Sequence, residues 1–369
     1  MRTCRTCLMP DTRPRVVFNA DGVCNACSFH ATKSAVDWDE RKRAFIDLAR
    51  SMKRHPAYDC IVPFSGGKDS AVIAWRLKNE LGLKPLLVTY GQMIWTPAGK
   101  HNFNAVCDRG FDILYWRHDQ EVSRKLAKRF LIERGHPKAH YDAGINAVPV
   151  IAAKSLGIPL IVYAEHGESE YGGRVLSERH RMERDLEEVL ENCVGDDARN
   201  WAVDWISEAS LYPYIYPDDV TGLKAVYFSW FFPWDIYANA RLAFDRLDFR
   251  PAHIERTPDG AHWRWGRSDG SFEGFDSIDD AIDDLDFCLM HRKFGFGRAT
   301  RMASRLIQNG HMTRDDGLKW VEKYDGEFPS VFLPDILRYL GMERTELERI
   351  VDLHTGVGRG IANEFTERA

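Results

Sequence analysis

The sequence has no long hydrophobic run and no excess of basic residues. It contains no stretch of eighteen consecutive apolar residues, so we expect no transmembrane helix and no membrane insertion. The first twelve residues lack the apolar segment of a secretory signal, so we expect a cytoplasmic protein. The 369 residues include 50 Lys and Arg against 55 Asp and Glu, a formal net charge of −5. This balance disfavours a nucleic-acid partner, because phosphate neutralisation supplies much of that affinity, and favours an enzyme that acts on a small molecule.

Cysteine is scarce outside one cluster near the start of the chain. Of the eight cysteines, Cys4, Cys7, Cys24 and Cys27 form the pattern C-x2-C-x16-C-x2-C. A cytoplasmic chain of this length does not need disulfides. Two such pairs can present four thiolates to one ion, which predicts a closed, structural zinc site. An iron–sulfur cluster is the main alternative.

Hydrophobic runs alternate with amphipathic segments between residues 58 and 166. We interpret four of these runs as strands, at residues 58–64, 84–90, 111–117 and 158–166. Near-continuous apolar strands that are separated by helical segments are typical of a parallel sheet with both faces covered. The sequence therefore predicts an α/β fold.

Changes in composition divide the chain into four predicted regions. Residues 1–35 form the zinc-binding module and residues 36–185 the α/β domain. Residues 186–297 are rich in aromatic side chains and form a substrate-side region, whereas residues 298–369 are mostly helical. A charged stretch over residues 178–192 is predicted to be a single helix.

A polar, glycine-containing loop follows the first predicted strand. Its six residues are Ser65, Gly66, Gly67, Lys68, Asp69 and Ser70. The glycines let the backbone approach a ligand closely, and the helix predicted to open at Asp69 points free N–H groups at the loop. Lys68 adds positive charge, the serines add hydroxyl donors, and Asp69 can help to hold the Mg²⁺ that phosphates bring. At the carboxyl end of a strand in an α/β sheet, this loop predicts a phosphate-binding site.

The loop is not a Walker A motif. That motif needs another glycine five residues before the Gly-Lys pair, and Asp69 stands where Ser or Thr should follow the lysine. The stretch instead resembles the PP-loop of ATP pyrophosphatases, whose signature is Ser-Gly-Gly-x-Asp-Ser. The resemblance implies that ATP is cleaved between its α- and β-phosphates, that the loop holds the departing pyrophosphate, and that the substrate is adenylated.

A wider set of segments is similar to the N-acetyl sugar amidotransferases. These segments are CRTCLMPDTRP, GVCNAC, SGGKDS, GIPLIVYAEHGESEYGG and KFGFGRATRMASRLIQNGHMTRDDGLKWVEKYDG. The resemblance runs from Cys4 to about Gly326 and is weakest over residues 185–275. The family includes surface-polysaccharide enzymes, among them lipopolysaccharide O-antigen enzymes, that make acetamidino sugars. One departure is that Glu165 is followed by His166, where the family has Gly-Glu-Asn after the fourth strand.

The resemblance implies an ATP-dependent conversion of an acetamido group on a sugar into an acetamidino group, and we expect the sugar to be nucleotide-linked. Adenylation activates the acetamido oxygen, ammonia then attacks the carbon, and AMP and pyrophosphate are released. The implied catalytic residues are Lys68, Asp69 and Glu165. The chain has Arg2 rather than an N-terminal Cys and no Cys in a Gly-x-Cys-x-Gly elbow. The resemblance therefore implies that a separate glutaminase and a cyclase-like subunit supply the ammonia.

Several charged residues outside the loop are further candidates. Glu165, Glu168 and Glu170 follow the fourth strand, where they could bind magnesium or steer ammonia, or else form a solvated acidic loop. Lys293 and Arg298 flank the sequence FGFG, and two cations beside a glycine loop suit phosphate charge. The alternative for this pair is a helix end with cations that face solvent.

Two other features could contact the nucleotide or the sugar. Thr96 and Asn102 follow the second predicted strand, beside the loop in sheet order, and capping or loop roles are the alternative. The aromatic block at residues 212–237 could stack on a sugar, although packing in the core is the more frequent role of such side chains.

A PP-loop tRNA thiolation enzyme is the main alternative function. Some of these enzymes also carry paired C-x-x-C motifs before an SGGKDS loop. They need sulfur-handling or cluster-binding cysteines in the catalytic domain, whereas the remaining cysteines here are single, and the acidic balance also disfavours tRNA. A third alternative, an ATP-binding subunit without turnover, is disfavoured because the loop is complete.

Overall fold

The computed structural model describes residues 1–252, 254–256 and 263–357. Its centre is a mostly parallel sheet whose strands run in the spatial order β3-β2-β1-β4-β6-β5. A separate antiparallel pair consists of β7 and β8. The strands are β1 (Cys60–Pro63), β2 (Pro85–Tyr90), β3 (Asp112–Trp116), β4 (Leu160–Tyr163), β5 (Glu183–Arg184), β6 (Lys224–Tyr227), β7 (Ile254–Arg256) and β8 (Trp263–Trp265).

Helices connect and cover these strands. Within the described residues they are α1 (Asn25–Thr32), α2 (Trp38–Met52), α3 (Lys68–Asn79), α4 (Pro97–Cys107), α5 (Gln120–Arg134), α6 (Ala139–Leu156), α7 (Gly167–Tyr171), α8 (Leu186–Val189), α9 (Glu208–Leu211), α10 (Phe228–Phe231), α11 (Ile236–Leu247), α12 (Ile282–Phe294), α13 (Arg298–Gln308), α14 (Arg314–Tyr324), α15 (Leu333–Leu340) and α16 (Arg344–Leu353). Of the helices in the described part of the chain, none is both long enough and apolar enough to cross a membrane.

The predicted α/β architecture with a parallel sheet is confirmed. The four predicted strands correspond to β1, β2, β3 and β4, which pair in parallel, and β6 also pairs in parallel with β4. Only β5 runs antiparallel to its neighbour in this sheet. The prediction of one helix over residues 178–192 is wrong, because this stretch contains a 3₁₀ turn, β5, α8 and a π-helical turn.

Both faces of the central strands are buried, whereas the edge strand β3 is largely exposed. Along β1 the side chains alternate, so Ile61 joins the core on one face while Cys60 and Val62 join the core on the other. The first core includes Phe130 of α5, and the second includes Val72 of α3. Burying each such aliphatic or aromatic side chain contributes about 1.5–3 kcal/mol. With both faces covered, the polar loops collect at the ends of the strands.

The C-terminal helices are attached to the carboxyl edge of the sheet through the segment that precedes α12. The amide N–H of Thr96 donates to the carbonyl oxygen of Asp279, and Trp95 forms a β-bridge with Asp280. Gly99 of α4 lies so close to this segment that a Cβ atom there would be 2.5 Å from the Cα atom of Asp279. This contact requires a glycine, and it brings residues 276–280 beside the loop that follows β1.

Most of the aromatic block at residues 212–237 packs in the core. Tyr214 and Tyr227 belong to one core cluster, and Phe228 and Trp234 belong to the other. Tyr212 and Tyr237 are exposed. The predicted region boundaries stay predictions, and residues 358–369 of the predicted C-terminal region lie outside the described residues. The strand β6, within the predicted substrate-side region, is part of the main sheet.

Candidate functional site

The order of the strands defines a crevice at the carboxyl ends of β1 and β4. The chain proceeds outward from β1 through β2 to β3, and then returns to place β4 on the other side of β1. Ligands of open α/β sheets bind at such a switch point. The loop of residues 65–70 follows β1 and Glu165 follows β4, so both lie at this crevice.

The loop adopts a geometry that requires glycine at position 66. Gly66 has a φ of 97°, and a Cβ atom there would lie 3.1 Å from the ring of Trp95. The amide N–H of Gly67 donates to the hydroxyl of Ser65, and the hydroxyl of Ser70 donates to the carbonyl oxygen of Gly67. Helix α3 begins at Lys68, one residue earlier than predicted. Its free N–H groups therefore face the loop and favour an anion there.

Lys68 is almost completely buried between two carboxylates. Its Nζ atom lies 2.8 Å from an oxygen of Asp69 and 2.6 Å from an oxygen of Asp276. Burial acts to lower the pKa of Lys68, but Asp276 and Asp69 together outweigh it and hold this pKa well above its ordinary value. Burial acts to raise the pKa of Asp276, but Lys68 lowers it to about 2. The pair is therefore charged over the whole physiological pH range.

Asp276 belongs to an acidic segment, residues 276–284, that closes over the loop. Gln92 donates hydrogen bonds to the carbonyl oxygen of Ser65, at 2.6 Å, and to a carboxylate oxygen of Asp279, at 2.7 Å. A Cβ atom on Gly67 would lie 3.5 Å from the carboxylate of Asp279. Carboxylates thus surround the loop and neutralise its lysine.

A cavity of about 290 Å³ opens at the same edge of the sheet. Its walls come from the ends of β1, β2 and β4, from α6 and from the acidic segment. Aromatic side chains and charged groups alternate around it. The residues that line it include Phe64, Ser65, Ser70, Tyr90, Gln92, Lys138, Tyr141, Tyr163, Ser277, Asp279 and Asp283.

Glu165 lies close to the charged groups of the loop. It accepts a hydrogen bond of 3.3 Å from the hydroxyl of Tyr171. Burial raises the pKa of Glu165 to about 7, the negative charge of Asp69 adds to this rise, and Lys68 opposes it. A carboxyl with such a pKa exchanges its proton near neutral pH, which suits a general acid or base.

Glu168 and Glu170 have different surroundings, and neither is a freely solvated side chain. Glu170 is buried and forms ion pairs of 2.5 Å with Lys33 and 2.6 Å with Arg305. Burial raises the pKa of Glu168, and Arg13 acts to lower it. Through these ion pairs Glu170 joins α7 to α13 and to the segment after α1, so its role in the fold is structural.

Arg298 lies under the acidic segment, whereas Lys293 contacts a different part of the chain. The buried guanidinium of Arg298 donates to the carboxylate of Asp284 and to the carbonyl oxygens of Asp276 and Ser277. Lys293 donates to the carbonyl oxygen of Arg134 at the end of α5. Arg298 thus fixes the backbone that presents Asp276 to Lys68.

Thr96 and Asn102 make the contacts of capping and structural residues. The hydroxyl of Thr96 accepts from the amide N–H of Gly99 at the start of α4 and donates to the carbonyl oxygen of Ile278. The buried side chain of Asn102 bonds to both the N–H and the carbonyl oxygen of Arg250. Both residues fix the chain beside the loop.

Several residues of the site were not predicted from the sequence. Asp276, Asp279 and Gln92 contact the loop directly, and Asn239 of α11 lies 3.4 Å from a carboxylate oxygen of Asp69. The acidic run DSIDDAIDD was visible at residues 276–284. Its position over a loop about 200 residues earlier depends on tertiary packing, which a local pattern does not encode.

The four cysteines form a second, separate site. Two β-bridges, Thr3 to Pro10 and Phe18 to Cys24, bring the two C-x-x-C pairs together. The four sulfur atoms are buried and all lie within 4.8 Å of one another. The separations are 3.9 Å for Cys4–Cys27 and 3.7 Å for Cys7–Cys24. Zn–S bonds of about 2.3 Å in tetrahedral geometry place sulfurs about 3.8 Å apart, so the cluster can hold a structural zinc ion.

Hydrogen-bond donors surround these sulfur atoms. The amide N–H groups of Met9, Cys24 and Cys27 point at sulfurs of the cluster, at 3.2 to 3.4 Å. The side-chain amide of Gln308, on α13, lies 3.3 Å from the sulfur of Cys27. Donors of this kind stabilise thiolates and orient metal ligands. The four positions are all supplied by protein, as in sites that stabilise a fold.

Cys24→Ser tests the metal site. We expect wild-type protein to contain one zinc per chain, and the variant to lose the metal and at least about 2 kcal/mol of unfolding free energy, because metal binding is coupled to folding. Elemental analysis and urea unfolding measure the two effects. Cys107→Ser, at a half-buried cysteine outside the cluster, is the control and should keep its zinc. A metal-free wild-type protein of unchanged stability would contradict the assignment.

Glu165→Gln tests the electrostatics at the end of β4. Because the pKa of Glu165 is raised from 4.5 to about 7, the folded chain keeps a proton there that the unfolded chain loses above pH 4.5. The stability of the folded state therefore falls as the pH rises from 4.5 towards 7. We expect the variant to lose less stability than wild type between about pH 5.5 and about pH 8 in urea unfolding. Glu178→Gln, at an exposed position, should behave like wild type; an equal loss in Glu165→Gln would refute the assignment.

One family model matches the C-terminal part of the chain. Residues 269–359 match the model described as "LPS biosynthesis protein WbpG-like, C-terminal domain". The matched range contains the acidic segment, Arg298 and helices α12–α16. No curated protein matches the chain. The match supports a place for this chain in lipopolysaccharide or polysaccharide biosynthesis, and it covers the residues that close over the loop after β1.

Proposed function

We propose that this protein is an ATP-dependent amidotransferase that converts an acetamido group of a sugar into an acetamidino group. One observation supports this above the others. The Ser-Gly-Gly-Lys-Asp-Ser loop lies at the switch point of the sheet, and the segment that closes over it belongs to the WbpG-like range. A nucleotide-activating loop is thereby joined to a polysaccharide-biosynthesis domain.

ATP is the substrate that we assign to the loop. The N–H groups at the start of α3, Lys68 and the serine hydroxyls suit the β- and γ-phosphates, which leave together as pyrophosphate. Asp69 is the proposed ligand for the Mg²⁺ that accompanies ATP. The cavity beside the loop is lined by Phe64, Tyr90 and Tyr163, which suit the flat adenosine moiety.

Binding of the phosphates requires a rearrangement of charge around Lys68. In the structure Asp276 neutralises this lysine. Phosphate oxygens and carboxylates repel each other at short distance, so Asp276 must either move or share a magnesium ion with the phosphates. In this proposal, ATP binding therefore acts on the acidic segment through Asp276, which pairs with Lys68.

The proposed reaction has two steps. The acetamido oxygen attacks the α-phosphorus, the α–β phosphoanhydride bond breaks, pyrophosphate leaves, and the amide loses its N–H proton. The product is an O-adenylated imidate. Ammonia then attacks the imidate carbon and the C–O bond breaks, so AMP leaves with the former amide oxygen. The resulting acetamidine takes up a proton and is cationic at neutral pH.

Glu165 is the proposed proton acceptor. Its carboxyl is electrostatically coupled to Asp69 and Lys68, so it lies near the phosphates that the loop would hold. Its pKa of about 7 allows it to take the proton that the amide or ammonium releases. Lys68 offsets the charge that develops on the leaving pyrophosphate. These two residues and Asp69 form the proposed catalytic set.

Ammonia must come from another protein in this proposal. At neutral pH ammonia is mostly ammonium, which is not a nucleophile, so a glutaminase and a cyclase-like conducting subunit are the proposed partners. The zinc module has a structural role in the proposal, because all four sulfurs are available to one ion and leave no open position for substrate.

The cysteines disfavour the alternative of tRNA thiolation. That chemistry needs a reactive thiolate near the adenylate. Cys60 is buried in β1, which raises the pKa of its thiol, and burial also raises the pKa values of Cys107 and Cys193, the latter to about 12. These thiols are therefore weak nucleophiles at neutral pH.

Lys68→Met tests the proposal. The chain is supplied with ATP, Mg²⁺, ammonium at alkaline pH and a panel of N-acetylated and nucleotide-linked N-acetylated sugars. We expect AMP and a sugar in which an oxygen has been exchanged for an NH, and a loss of at least about 100-fold in AMP formation by the variant. Mass spectrometry and nucleotide chromatography measure both products.

Lys78→Met, on the same helix, is the matched control. Lys78 bonds to carbonyl oxygens of Arg109 and Gly110 and does not contact the loop. It should retain wild-type turnover, and circular dichroism should show that both variants are folded. AMP formation by folded Lys68→Met at the wild-type rate would refute the proposal. AMP formed only on addition of tRNA would favour thiolation instead.

A further inference from the structure

A second cavity, of about 400 Å³, lies on the other side of the acidic segment from the loop. It is bounded by the start of α4, by the acidic segment and by the residues just before α15. The acidic segment and the residues just before α15 belong to the range that matches the WbpG-like family, whereas the start of α4 does not. The residues that line it include Ala98, Arg250, Ser277, Asp280, Asp284 and Phe332.

An unsatisfied carboxylate oxygen lies in the wall of this cavity. Asp284 is only 5% exposed, and its Oδ1 atom accepts a hydrogen bond from Arg298. Its Oδ2 atom has no hydrogen-bond partner among the residues that the structure describes. A buried charged oxygen without a donor is unfavourable. A ligand with a hydroxyl group would supply the missing donor.

Asp280 provides a second carboxylate that is held rigidly in the same wall. Its oxygens accept from the backbone N–H groups of Met93, Ile94 and Ile282. Burial raises the pKa values of Asp280 and Asp284 to about 7, so each gains from an added donor. The nearby ring of Phe332 offers an apolar surface. Carboxylates beside an aromatic ring suit the hydroxyls and the C–H face of a sugar.

This cavity is adjacent to the smaller cavity beside the loop. Ser277 lines both this cavity and the smaller cavity beside the loop, so the two are separated by the backbone of residues 277–279. Ser277 has a φ of 48°, in the left-handed region that residues with a Cβ atom rarely adopt. This residue therefore lies in the partition between the two cavities.

We propose that the cavity bounded by Ala98, Asp284 and Phe332 binds the acceptor substrate as an N-acetylated pyranose, with Asp284 accepting a sugar hydroxyl. The proposal rests on the proposed function for the identity of the sugar. The acetamido group lies toward Ser277 and hence toward ATP. Arg250, an exposed cation that lines the same cavity, faces the phosphate of a nucleotide-linked sugar. A volume of this size is within the range of small-ligand sites.

Calorimetric titration of the full chain tests this site directly. The probes are N-acetylglucosamine, N-acetylgalactosamine, N-acetylmannosamine and the UDP derivatives of the first two. We expect at least one probe to bind wild type, and Asp284→Asn and the cavity-filling Ala98→Phe each to weaken that binding by about tenfold or more. Arg250→Gln should weaken binding of a UDP sugar but not of the free sugar.

Asp286→Asn is the matched control for the charge change. Asp286 lies on α12, as Asp284 does, and pairs with His136 rather than lining the cavity. It should bind the probe as wild type does. Urea unfolding shows whether Asp284→Asn is folded. If it is not, the binding measured with Ala98→Phe tests the site instead, because Ala98 is only partly buried and we expect the fold to tolerate a larger side chain there.

Two results would overturn the proposed sugar site. One is the absence of binding by every probe to wild type; the other is binding that Asp284→Asn and Ala98→Phe leave unchanged. These results are separate from a failure of the proposed function. Sugar binding at this cavity without AMP formation would refute only the amidotransferase chemistry, whereas AMP formation that is insensitive to the cavity variants would refute only this site.

Discussion

The buried ion pair between the Nζ atom of Lys68 and the carboxylate of Asp276, at 2.6 Å, connects the loop after β1 to the acidic segment. Removing one partner of a buried pair leaves an uncompensated charge, which is strongly destabilising. The loop after β1 is therefore stable in this form only when the acidic segment is docked. The guanidinium of Arg298 fixes the backbone of that segment by donating hydrogen bonds to the carbonyl oxygens of Asp276 and Ser277. The loop after β1 and the WbpG-like range thus depend on each other.

A second polar network links the cysteine module to the same edge of the sheet. Gln308 donates to the sulfur of Cys27 and accepts from Arg305, and Arg305 forms an ion pair with Glu170 of α7. Helix α7 begins two residues after Glu165, the proposed proton acceptor. The cysteine site is therefore connected to the position of Glu165 through α13, although it supplies no group to the chemistry. This gives a physical reason for a four-cysteine module at the start of an α/β chain.

The parts of the fold that local patterns determine were predictable, and the contacts between distant segments were not. Strands β1 to β4 are continuous apolar runs, and a cysteine pattern of fixed spacing specified its four ligands. Strands β5 and β6 were missed, because β5 is only a polar Glu-Arg pair and β6 lies among aromatic residues. The loop itself was recognisable, but its partners Asp276 and Asp279 reach it through the close contact at Gly99. That contact depends on how α4 and the acidic segment pack, which no run of neighbouring residues reveals.

The acetamido oxygen is proposed to attack the α-phosphate of ATP. Labelling that oxygen with ¹⁸O in an N-acetylated sugar that supports AMP formation, followed by mass spectrometry of the AMP, tests this step. Each AMP is expected to carry one ¹⁸O atom in its phosphate, because the oxygen leaves with AMP when ammonia replaces it. Unlabelled AMP alongside a modified sugar, or ADP as the nucleotide product, would rule out this attack.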